Sequence, residues 1–259
     1  MEEGTAACYY ISGFTLIRQR SRERKEPMGR YKADHVIKVN GVRLHYAVEG
    51  KGDPVILLHG NGEDHSLFDL LIGQLTEAGY KVYAPDSRGH GESDPVDEFH
   101  YSEMAEDIYQ FIESLGLEKP ALYGHSDGGI IALLLEMNHP GTLAVMAVSG
   151  TNLHPEGLIS SFIEEFTQIN ETRHDPMITL MLTEPQIRPE ELGKIKIPVL
   201  VTAGENDLVR PEETERLCAA LADVRKVIVE GADHGSYIHN SPLMGEMLMD
   251  FLKDRWNRD

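Results

Sequence analysis

Cysteine is scarce in this sequence: Cys8 and Cys218 are the only two in 259 residues. They could form one disulfide, but a chain long enough to bury a full-sized core does not need it. A reduced, cytoplasmic setting is the simpler expectation. No cysteine pair has metal-ligand spacing, and the twelve histidines include no His-Glu-x-x-His run, so no metal and no cofactor are expected. Basic residues are also few: 24 Lys and Arg stand against 43 Asp and Glu, a formal net charge of -19. That balance argues against nucleic acid, because neutralising phosphates takes clustered cations. It also disfavours anionic membranes and slows polyanionic substrates. No apolar run reaches the roughly 18–20 residues that cross a bilayer. The expected partner is a small-molecule substrate, and the expected assembly is a monomer or homodimer.

At the N-terminus a short apolar piece, 6–17, precedes a basic run, 18–25. A secretory signal has the opposite order. Residues 1–33 therefore read as an appendage, and Met28 is a candidate start, since all that the fold needs follows it. Over the whole sequence the apolar fraction of 41% and charged fraction of 26% suit a globular protein, and from Asp34 the pattern reads as one domain. Strand patterns fall at 35–40 and 42–47, joined by Asn40-Gly41, a pair suited to a tight hairpin. Others fall at 54–58, 81–85, 121–123, 143–148, 197–202 and 226–229. Helical periods fall at 66–78, 102–115, 128–137, 211–221 and 243–252. Such alternation predicts an α/β fold: a mostly parallel eight-stranded sheet with helices on both faces. The rhythm breaks at about 151–194, where helical patterns at 159–169 and 175–182 predict a short helical cap inserted into a domain spanning 34–259.

Gly124-His125-Ser126-Asp127-Gly128 is a G-x-S-x-G run between a strand and a helix. In that context the serine sits on a sharp elbow at the carboxyl end of the sheet, a position for a nucleophile. A serine needs a base, and the base needs an orienting carboxylate. Asp207, with Glu205 as an alternative, follows one strand, and His234 follows the last. The order Ser, acid, His is thereby complete. Asp233 adjoins His234 and reads as a turn residue. An oxyanion would be held by two backbone amides, those of Asn61 and Asp127. His59 reads as packing beneath the loop that carries Asn61. Phe162, Phe166, Met177, Met181 and Leu182 could line a pocket under the cap, although packing the cap down is the more ordinary role for them.

Five ordered motifs resemble the α/β-hydrolase superfamily, especially its small esterase-like members: His59-Gly60-Asn61-Gly62, the Asp86 to Ser93 turn, Gly124-His125-Ser126-Asp127-Gly128-Gly129, Gly204-Glu205-Asn206-Asp207 and Ala232-Asp233-His234. The resemblance implies the α/β-hydrolase fold and a catalytic triad of Ser126, Asp207 and His234 under a cap. It makes the Asp86 to Ser93 turn structural. Relatives that open epoxides or remove halide use an aspartate nucleophile, so the serine here implies an acyl-enzyme and a carboxylic ester substrate. Aminopeptidase, C–C bond hydrolase and perhydrolase chemistry use the same triad, and a non-catalytic binding module is the reading from another class. The Ser-Asp-Gly-Gly-Ile run resembles the biphenyl hydrolase-like branch, whose members include amino-acid ester hydrolases. It implies that the Asp127 side chain binds a substrate ammonium. The plainer role for Asp127 is an acid at the positive end of a helix dipole.

Overall fold

The computed structural model describes residues 29–256 and the backbone of 10–11 and 14–15. The expected N-terminal appendage lies mostly outside the described residues, as do Cys8 and Met28. Tyr10–Ile11 pairs antiparallel with Phe14–Thr15.

Asn40 and Gly41 take φ of 42° and 86°, the positive values that a two-residue hairpin demands. They join β1 (His35–Val39) to β2 (Val42–Gly50), with Val39 opposite Val42. The chain then alternates: β3 (Pro54–Leu58), α1 (Asp69–Glu77), β4 (Lys81–Pro85), α2 (Tyr101–Leu115), β5 (Ala121–His125), α3 (Asp127–Asn138) and β6 (Val145–Ser149). After α4 (Ser160–Arg173) and α5 (Pro176–Thr183) come β7 (Val199–Gly204), α6 (Pro211–Ala220), β8 (Val224–Val229) and α7 (Leu243–Arg255). The eight strands lie in the order β1-β2-β4-β3-β5-β6-β7-β8. Pairing is antiparallel at β1–β2 and β2–β4 and parallel from β4 to β8. This is the α/β-hydrolase fold. Among the described residues no helix is long and apolar enough to cross a membrane.

The apolar run of β3 divides by period two. Val55 and Leu57 join a cluster with Leu71, Ile72 and Leu75 of α1 and Leu248 and Phe251 of α7. Ile56 and Leu58 face the other side, against α2 and α3, with Phe111, Ile131 and Leu135. Full burial of one such side chain contributes about 1.5–3 kcal/mol. A solvent-screened ion pair such as Arg43–Asp94 contributes little by comparison. Core packing therefore fixes the strand ends from which the site residues project.

The Asp86 to Ser93 turn binds the rim of the sheet together. Asp86 is fully buried and accepts from His65 Nδ1 at 2.7 Å and from the His65 and Glu92 amides at 2.9 Å each. Burial pushes His65 down, but the Asp86 carboxylate more than offsets this and raises the imidazole to about 9. Arg88 forks onto Asp107 of α2, with bonds of 2.7 and 2.6 Å. A buried fork of this kind fixes orientation as well as distance.

Helix α5 begins with Pro176 behind Asp175, whose carboxylate accepts from the Met177 amide at 2.8 Å. Leu158, Phe162, Phe166, Ile178, Met181 and Val209 form a third cluster joining α4 and α5 to the loop after β7. The pattern at 197–202 is displaced: the strand is Val199–Gly204, because Ala203 and Gly204 continue the ladder against Ile228 and Val229.

Candidate active site

Ser126 lies between β5 and α3 with φ 52° and ψ -116°, a region that non-glycine residues rarely enter. The flanking glycines make this turn sterically feasible. A Cβ on Gly124 would stand 2.2 Å from the Gly128 carbonyl oxygen, and one on Gly128 would stand 2.1 Å from that of Leu58. The Ser126 amide donates to the Ser149 carbonyl at 2.8 Å, pinning the elbow to β6. Asp127 is the first residue of α3, so its amide has no acceptor within the helix.

His234 Nδ1 lies 2.6 Å from Asp207 Oδ1, with both side chains buried. A carboxylate only accepts, so Nδ1 carries the proton and Nε2 is the basic nitrogen. Burial pushes the Asp207 carboxyl up, but His234 and the Val209 and Gly204 amides more than offset it and hold it low. The two acids that spacing alone left open are separated here. Glu205 is exposed and accepts from the Gly231 amide at 2.8 Å. Asp233 accepts from the Gly235 and Ser236 amides, as a turn residue does. Gly150, just past β6, lies flat on the His234 ring: a Cβ there would be 2.5 Å from Cε1.

Asn61 follows β3, and its side chain donates to Asp127 Oδ2 at 3.0 Å and to the Met177 carbonyl at 3.4 Å. One amide thus ties the loop, the elbow helix and the cap together. Burial raises the Asp127 carboxyl to about 6, against hydrogen bonds from Asn61 and Tyr101 that pull it down. His59 is buried, with Nδ1 at 2.8 Å from the Gly60 carbonyl and Nε2 accepting from the Ser87 amide at 3.0 Å. Both nitrogens are engaged beneath the loop, so His59 packs there.

One acid, Glu63, and two histidines, His125 and His239, cluster beside the elbow. Glu63 accepts from the Gly60 amide at 2.8 Å and pairs with His239 at 3.0 Å. Burial pushes its carboxyl up, but His239, His125 and the Gly60 amide bring it down to about 2. The ring of His125 stands 4.9 Å from that of His234, and burial lowers it to about 3.

Ser126, Asp127 and Gly150 line a cleft of about 310 Å³, solvent mouth included, with Leu158, Phe162 and Met181 over it. Of the five cap residues considered as lining, Phe162 and Met181 reach this cleft. Phe166 instead stacks on Phe162 with ring centroids 4.2 Å apart, and Met177 and Leu182 pack into the clusters around it. Tyr101, Asn152, Glu184 and Leu208 also line the cleft, and sequence reasoning missed all four. They come from four separate segments, and no local pattern marks them.

Residues 53–173 match the family model described as alpha/beta hydrolase fold. The human protein named serine hydrolase BPHL is 28% identical over 84% of this chain and 85% of its own length. The AB hydrolase superfamily protein YisY of Bacillus subtilis is 26% identical over 78% of this chain and 92% of its own. An esterase of Exiguobacterium antarcticum superposes with a TM-score of 0.74 at 24% identity, covering 87% of this chain and 100% of that one. That likeness shows the fold.

Proposed function

We propose, for a chain that belongs to the α/β-hydrolase superfamily and is a hydrolase, that it cleaves small carboxylic esters through an acyl-enzyme on Ser126. The observation that carries this reading is the pairing of His234 with Asp207 against Gly150, which shares a cleft with the Ser126 elbow. In the first half-reaction, His234 Nε2 takes the Ser126 hydroxyl proton as Oγ attacks the ester carbonyl carbon. The Asn61 and Asp127 amides hold the oxyanion, each contributing about 3 kcal/mol to the transition state. The tetrahedral adduct collapses, and His234 gives its proton to the departing alkoxide, releasing the alcohol. Water then attacks the acyl carbonyl, losing a proton to His234. That proton returns to Ser126 Oγ as the acid leaves.

A fluorophosphonate probe tests this directly, since it phosphonylates only an activated serine. One label per chain is expected, on the peptide that contains Ser126, and none on Ser126→Ala. A folded wild type that takes no label removes the proposal and leaves a binding module.

A second reading, of substrate class, is favoured by the lining of the cleft. Among the described residues it includes two acids, Asp127 and Glu184, and no Lys or Arg. An acyl group bearing an α-ammonium suits such walls. An α-amino ester should show kcat/KM about tenfold or more above its des-amino analogue, about 1.4 kcal/mol. Asp127→Asn keeps the backbone amide and should abolish most of that preference while still turning over the des-amino ester. Pairing needs the ionised carboxyl, so the preference should fade as pH falls through about 6. Equal kcat/KM for the two esters at neutral pH sinks the ammonium reading.

A further inference from the structure

We propose that Glu63, His125 and His239 form a binding site for a divalent transition-metal ion of the Zn²⁺ class beside the nucleophile elbow. One donor atom from each lies within 4.8 Å of the others. Glu63 Oε1 is 3.0 Å from His239 Nε2, and Glu63 Oε2 is 4.0 Å from His125 Nε2. Zn²⁺ holds imidazole nitrogen and carboxylate oxygen at about 2.0–2.2 Å, so two ligands of one ion stand no more than about 4.2 Å apart. The widest separation here needs to close by less than about 1 Å. Rotation of the half-exposed His239 side chain supplies such a movement.

His125 is the second, independent observation. It is 2% exposed, and among the described residues neither of its ring nitrogens has a hydrogen bond. Nδ1 is buried without a partner, and Nε2 stops short of Glu63. Nε2 is the nitrogen on the Glu63 side, and the 4.0 Å gap between it and the carboxylate, too long for a hydrogen bond, leaves its lone pair for a ligand held between them. The proposed hydrolysis gives His125 no task. Two imidazoles and one carboxylate suit Zn²⁺ and its first-row neighbours, whereas Ca²⁺ and Mg²⁺ prefer all-oxygen sets. The supporting bond is also in place: the Gly60 amide donates to Glu63 and fixes its carboxylate. His239 closes over Gly235, where a Cβ would be 2.8 Å from its ring. An ion here would therefore bridge the loop that carries Asn61 to the loop that carries His234.

The test is titration of tag-free protein with Zn²⁺ in competition with a chromophoric chelator. One ion per chain is expected to bind. Glu63→Gln and His239→Ala should each weaken binding about tenfold or more. His174→Ala, at the end of α4, and His234→Ala should match wild type. His239 is half exposed, so its variant keeps the fold even where Glu63→Gln does not, and circular dichroism checks both. Absence of stoichiometric binding overturns the proposal, as does equal affinity in the Glu63 and His239 variants. Loss of binding in His234→Ala alone also overturns it, by placing the ion on the His234–Asp207 pair. Fluorophosphonate labelling of metal-free protein is independent of every one of these outcomes.

Discussion

Replacing Ser126 by alanine is expected to lower kcat/KM on a turned-over ester by about 10⁵–10⁶-fold. At about 1.36 kcal/mol per decade this is about 7–8 kcal/mol of lost transition-state stabilisation. The loss is this large because Oγ is the bonding atom: without it His234 and Asp207 have no proton to move. Some catalysis over water should survive, since the Asn61 and Asp127 amides still bind the oxyanion. Stability should hardly change. Alanine meets the same φ of 52° that serine does, and the Ser126 amide keeps its bond to Ser149. Steady-state kinetics on the purified variant, beside a thermal melt, checks both halves. A loss of less than about tenfold in a folded variant would falsify the acyl-enzyme.

Asp207→Asn is expected to cost about 10⁴-fold, again with the fold intact. The carboxylate accepts the His234 Nδ1 proton at 2.6 Å, while its other oxygen takes the Gly204 amide. An asparagine that turns its NH₂ toward Nδ1 forces the proton onto Nε2, and the imidazole can no longer act as base. Glu205→Gln is the control, because Glu205 is exposed and holds only the Gly231 amide among the described residues. That variant should stay within about threefold of wild type, the scale of a surface change. Reversed effects would move the orienting acid to Glu205.

The elbow is legible in the sequence because part of its constraint is local: a Cβ on Gly124 would meet the backbone of Gly128 and Gly129 within the turn itself, whereas Gly128 answers to Leu58 and His59 at the end of a neighbouring strand. The strand that ends at Leu58 and the pair Asn40-Gly41 are legible for the same reason. Spacing could not choose between Glu205 and Asp207, two residues apart on one loop. That choice depends on where the loop's own amides, Gly204 and Val209, direct a side chain. Glu184 and Tyr101 were out of reach altogether, because the cap settles against α2 through tertiary contacts, among them the Tyr101 amide bonded to Glu184 at 3.1 Å. Glu63 and His239 lie 176 positions apart in the numbering, and only the curl of the sheet ends brings them together. Phe166 takes the more ordinary of the two roles open to it and fills the cap's own core.

The backbone at Ser126 has a consequence for how this sequence would drift. Its φ and ψ lie where glycine rests comfortably and any side chain does not, at a cost of about 1–3 kcal/mol. Glycine at that position would relieve the cost, and the entropy it adds to the unfolded chain, up to about 1 kcal/mol, would return only part of the gain. A population of variants screened for solubility or melting temperature alone should therefore enrich glycine at 126 and lose the hydroxyl with it. Only a screen that reads turnover would hold the serine in place.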